Sequence, residues 1–245
     1  MTIFFLLSIS TTTAANLTVG TTGECSDIET SITQLSTISD ENNTIFLEEG
    51  TYTGIMNTYI TINNSFDNRN LKFIGKGNKN NVIIDGENTA WLFYVTGNVN
   101  LSFENITFKN ANNPVAGGVI TATNGESLTV INCNFSNNNG KWGGAIYSAI
   151  GKITIDNTIF ENNHGSSEAL NGTGGAIYLI NMITTLINNS IFTNNQAQTQ
   201  GGAIFITGQD LTLENITFNN NNNAGEGGAI CTNVGRIYIK KKKCF

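Results

Sequence analysis

The stretch Leu211-Thr212-Leu213-Glu214-Asn215-Ile216-Thr217-Phe218-Asn219-Asn220-Asn221, followed by Gly227-Gly228-Ala229-Ile230, decides the fold because it recurs. Five copies align on Phe108, Phe135, Phe160, Phe192 and Phe218, at spacings of 27, 25, 32 and 26 residues. Three positions before each Phe stands Asn105, Asn132, Asn157, Asn189 or Asn215. Two positions after it stands Asn110, Asn137, Asn162, Asn194 or Asn220. A Gly pair follows, beginning at Gly117, Gly143, Gly174, Gly201 and Gly227; Ala-Ile comes next in four copies and Val-Ile in the first. The wide spacing reflects an insertion over residues 164–173.

A period near 26 residues with short β-type runs predicts one solenoid coil per repeat. Leu128-Thr129-Val130, Ile153-Thr154-Ile155 and Leu211-Thr212-Leu213 alternate apolar and polar, so each presents one face inward. Stacked coils place equivalent residues in columns about 4.8 Å apart. The Phe column is expected to be a buried stack. The Asn columns suit bends, where Asn tolerates the left-handed backbone and its amide can bond along the stack. The Gly pair permits a sharp turn or a close approach of neighbouring coils.

The phrase Phe-x-x-Asn is Phe135 to Asn138, Phe160 to Asn163, Phe192 to Asn195 and Phe218 to Asn221, each followed by Gly-Gly-Ala-Ile. This pairing resembles the repeats of the polymorphic outer membrane proteins, known from chlamydial surface adhesins. The resemblance covers about residues 99–231. The first copy departs from it, with Ala111 in place of the Asn and Val119 after the Gly pair. The resemblance implies an all-β chain folded as a right-handed parallel β-helix of the pectin-lyase-like kind. About seven coils are expected, behind a short N-terminal capping helix.

Outward from the repeats, residues 1–15 have the apolar core and small-residue end of a secretory signal, without a basic residue ahead of the core. Residues 16–43 are expected to be linker and capping helix. Ser26-Asp27-Ile28-Glu29 has the capping-box pattern, and Ile28, Ile32 and Leu35 share a helical face. Thr44-Ile45-Phe46-Leu47 is the expected first strand, residues 44–98 the irregular first coils, and 99–239 the repeat coils. Residues 240–245, with their Lys run, form a basic tail that either blunts the last edge or marks a truncated product.

The 245 residues include 40 Asn but are only 12% charged, with net charge −6 and no basic stripe, which argues against nucleic acid as a partner. No stretch after the signal is long enough to span a bilayer. The four Cys, at 25, 133, 231 and 244, lack metal-site spacing, and neither a metal nor a cofactor is expected. The one histidine, His164, is placed by the repeat alignment in the inserted loop near Glu161 and Glu168. Glu104, Asp156 and Glu214 share an outward column interrupted by Ile131 and Asn188, which leaves neighbouring acids two coils apart. The hydroxyl column Ser102, Thr129, Thr154 and Thr212 is broken by Leu186, unlike the paired, gap-free ladders of ice-binding faces. Sequons are abundant. Asn42, Asn63, Asn100, Asn171 and Asn188 are the glycosylation candidates, with Asn171 and Asn188 expected to stand open.

These readings describe a secreted or surface-displayed β-helix, adhesive or structural, with no catalytic residue identified. Its expected partner is carbohydrate or a cell-surface glycoprotein. The alternative is a polysaccharide-active enzyme of the pectate lyase or glycoside hydrolase kind, which would need clustered carboxylates.

Overall fold

The computed structural model describes residues 14–166 and 171–241, which form a parallel β-solenoid of about eight turns with one α-helix. The signal-like residues 1–13, Glu168 and Cys244 lie outside the described residues. Every strand pairing is parallel, and the strands form sheets of 13, 7 and 5 strands. In one regular coil, Ser127–Ile131 lies in the large sheet, Asn134–Ser136 in the second and Asn139–Gly140 in the third. Ile146–Ser148 then returns to the large sheet. In later coils the returning strand runs straight into the next coil's first strand, as in Ile177–Asn188, Ile204–Glu214 and Ile230–Lys240.

The repeat phrase maps onto this coil residue by residue. Phe108, Phe135, Phe160, Phe192 and Phe218 are in register. Their ring centroids lie 4.9, 4.8, 4.7 and 5.2 Å apart, near-parallel throughout, and the first four rings are fully buried. Burial of each is worth roughly 1.5–3 kcal/mol. Asparagines on both sides of each Phe adopt left-handed backbone, with φ between +46° and +60° at Asn105, Asn132, Asn157, Asn189 and Asn215 and between +50° and +57° at the partners two residues after Phe. The two glycines of each pair have different tasks. Gly143, Gly174, Gly201 and Gly227 have φ from +63° to +73°. Gly144, Gly175 and Gly202 lie so close to the Gly carbonyl of the following coil that a Cβ would collide with it.

The N-terminal end differs from expectation in two respects. A strand, Ala14–Val19, precedes the expected first strand and pairs with Asn42–Leu47, which accounts for the additional turn. It lacks the repeat phrase, so only its Leu17 and Val19 alternation could have marked it. The helix runs Ile28–Ser36 and is capped by Asp27 rather than Ser26, the Asp27 carboxylate accepting from Thr30 N at 2.8 Å. The Ser26 hydroxyl donates instead to Asp27. Ile28, Ile32 and Leu35 are buried against the first coils. Arg69 fixes the other end of the helix, donating to Leu35 O at 3.0 Å, Asp40 O at 2.8 Å, Ser65 O at 2.8 Å and Asn43 Oδ1 at 3.0 Å.

Candidate functional site

The expected chemistry-bearing residues come apart in the fold. Glu104, Ile131, Asp156, Asn188 and Glu214 are successive register partners, so neighbouring acids stand two coils, or about 10 Å, apart. Asp156 accepts from the Asn189 amide at 2.8 Å. His164 is not a solvated loop residue. It forms the short strand His164–Gly165 at the start of the insertion, pairs with Asn139 and Gln196 on the flanking coils, and is half-buried, so that burial lowers its pKa. Among the described residues no three His, Cys, Asp or Glu side chains gather closely enough to hold a metal ion. Cys25, Cys133 and Cys231 are free thiols, and burial pushes Cys133 up to about 12.

The asparagines follow two designs. The column three before Phe lies near the surface. Asn132 donates to Asn105 Oδ1 at 3.0 Å, Asn157 to Asn132 at 3.1 Å and Asn215 to Asn189 at 3.0 Å, while Asn189 turns to Asp156. The fully buried ladder is the Asn of Phe-x-x-Asn, a structural role that sequence reasoning left unassigned. Asn138, Asn163 and Asn195 are at most 1% exposed. Each amide nitrogen donates to the preceding coil's Phe carbonyl and to the next Asn Oδ1.

Among the sequons, Asn63 and Asn171 are exposed, and Asn42 and Asn100 are half-buried in side-chain bonds to Asn70, Glu126 and Ser127. Asn188, expected to stand open, is half-buried, and its Oδ1 is buried without a hydrogen-bond partner among the described residues. Its neighbours in register, Asp156 and Glu214, crowd the position from both sides.

The outward surface carries a feature that alignment on Phe did not show. On the large sheet, Thr61, Tyr94, Thr121, Tyr147, Tyr178, Phe205 and Cys231 form one register column. The repeat members follow Ala-Ile or Val-Ile directly, so alignment on the Gly pair reveals them. Tyr147 and Tyr178 stack at 5.6 Å, Tyr178 and Phe205 at 4.9 Å, and Trp142 leans on Tyr147 at 5.7 Å. Across the gap at Thr121, Tyr94 meets Trp91 edge-on at 6.1 Å. Between the two aromatic groups lies a cleft of about 360 Å³, walled by Trp91, Tyr94, Trp142 and Tyr147. Thr121 is buried on its floor, its hydroxyl donating to Gly117 O at 3.1 Å. A second, polar cleft of about 670 Å³ lies over Asn42, Asn70, Lys72, Asn100 and Glu104. No helix among the described residues is long and apolar enough to cross a membrane.

Residues 132–149, 157–179, 189–207 and 215–233 match the family model of the Chlamydia polymorphic membrane protein repeat. Comparison with curated proteins and comparison with solved structures each give no match. Each matched segment begins at the left-handed Asn before Phe and continues past the Gly pair, so it takes in most of one coil. The coil of Phe108 and Ala111 lies in register with these four, ahead of the matched residues. Four stretches of the chain are thus similar to the Chlamydia polymorphic membrane protein repeat, and here they are wound as successive coils of a parallel β-solenoid.

Proposed function

We propose that this chain is a secreted or surface-displayed module that works by presenting a long, fixed face to an external ligand, as an adhesive or structural element without a catalytic centre. The observation that carries this reading is the outward column Tyr147, Tyr178 and Phe205, stacked along the solenoid instead of being buried in it. Aromatic rings supply contact area at little entropic cost, and a solenoid holds them without moving parts. The membrane-protein description of the matching repeat supports a place at the cell surface. The partner class is carbohydrate, free or on a glycoprotein. The test is retention of a panel of polysaccharides and glycoproteins on beads carrying the protein. Retention of at least one glycan class above bare beads is expected, and uniform absence of retention contradicts the reading.

A further inference from the structure

We propose that the gap at Thr121 is a binding slot for one neutral hexopyranose ring, held between Tyr94 and Tyr147; this deepens the display reading above and rests on it. The slot exists because one position in an aromatic column is small. Tyr94 pairs in register with Thr121, and Thr121 with Tyr147. Tyrosine at 121 would continue the stack that Tyr147 makes with Tyr178. Threonine instead leaves open the Tyr147 face that points away from Tyr178.

The width selects the occupant. Two coils separate Tyr94 from Tyr147 by about 9.6 Å. Contact at about 3.5–4 Å on each side leaves a layer roughly 2 Å thick between the outermost ligand atoms. A flat aromatic ring midway would repeat the 4.7–4.9 Å spacing of the Phe stack, but it carries no rim of hydroxyls to meet the polar groups of the lining. A puckered pyranose fills the space, with C–H groups on both faces and hydroxyls around its edge. The lining carries donors for those hydroxyls. The phenols of Tyr94 and Tyr147 and the indole N–H groups of Trp91 and Trp142 have no hydrogen-bond partner among the described residues, whereas the floor hydroxyl of Thr121 is already bonded. No charged side chain lines the slot, and Lys141, the residue before Trp142, rests 4.7 Å from the centre of the Trp142 ring. The chain's net charge of −6 disfavours anionic glycans.

Trp91 and Trp142 are the chain's only tryptophans, so intrinsic fluorescence reports this slot. The full chain is titrated with methyl β-glucopyranoside, methyl β-galactopyranoside and methyl α-mannopyranoside, with methyl glucuronide and tyramine as charged and aromatic comparators. A saturable change with at least one neutral glycoside is expected, tighter than with either comparator. Thr121→Tyr, which supplies the residue type found at 94, 147 and 178, should weaken that affinity at least tenfold; Thr121→Ser should leave it within threefold. Equal affinity in Thr121→Tyr, or preference for tyramine or the glucuronide, overturns the slot. Glycan retention on beads that persists in Thr121→Tyr while fluorescence stays silent overturns the slot and leaves the display reading standing. Absence of both signals overturns both.

Discussion

Asn138 Nδ2 lies 2.9 Å from Asn163 Oδ1, and the Asn138 backbone N–H lies 3.2 Å from the same oxygen. One buried carbonyl thus satisfies two donors of the preceding coil. Asn163 repeats the arrangement on Asn195, and Asn195 on Asn221. Where the first copy has Ala111, its N–H still donates to Asn138 Oδ1 at 2.9 Å. The ladder therefore closes at a residue that needs no amide.

Asn163→Ala should cost about 2–6 kcal/mol, because it strands both Asn138 donors in the core at about 1–3 kcal/mol for each unsatisfied group. Asn162→Gly, one residue away on an exposed left-handed turn, should change stability by less than about 1 kcal/mol. Urea unfolding of the two variants checks the contrast.

The Gly pair makes a sharper comparison, since Gly202 and Gly228 hold the same place in the repeat. A Cβ on Gly202 would strike Gly228 O, whereas one on Gly228 meets nothing within 4 Å. Gly202→Ala should destabilise by at least about 3 kcal/mol. Gly228→Ala should be neutral or stabilising by up to about 1 kcal/mol. Thermal melts of both report whether a stacked coil, rather than the local turn, imposes the second glycine.

At the opposite end, Arg69 is 8% exposed and its four bonds tie the helix C-terminus to the first coils. Arg69→Met should cost roughly 2–5 kcal/mol, since buried carbonyls lose charged donors. Arg69→Lys should not restore the loss, because an ammonium cannot span the guanidinium fork. Hydrogen exchange over Ile28–Ser36 should accelerate in both variants before exchange in the repeat coils does.

Asp85 supplies the pH dependence. Burial opposes its charge, but the Glu87 N–H at 2.9 Å, the Asn110 amide at 3.0 Å and Lys109 at 3.2 Å outweigh that and hold its pKa below the ordinary value. A lowered carboxyl contributes its full stability above the unfolded pKa of about 4 and loses it as pH falls through the folded value. Asp85→Asn should therefore melt below wild type at pH 7, and the gap should narrow in melts taken below pH 4.

Much of this architecture could be read from the chain because a solenoid turns sequence period into spatial register. Phe135 and Phe160 stack because the same backbone path returns each to the same place one coil later. The left-handed asparagines were legible for the same reason. What escaped was set by neighbours, not by period. Asp27 rather than Ser26 caps the helix, a shift of one residue that the Ser-Asp-x-Glu pattern does not resolve. His164 looked like loop because the insertion begins there, yet Asn139 and Gln196 hold it in a sheet. The aromatic column was hidden by alignment on Phe, because the insertion shifts Tyr178 relative to Phe160 while its distance from the Gly pair is unchanged.

The most direct test of the central claim, that this solenoid holds glycans without transforming them, is the chain length of the glycan it retains. Polysaccharide captured on protein-bearing beads is eluted after prolonged incubation and sized against the input. The account predicts capture with an unchanged size distribution. Shortened chains or new unsaturated ends would contradict it, and would direct mutagenesis to Glu104, Asp156, Glu214 and His164.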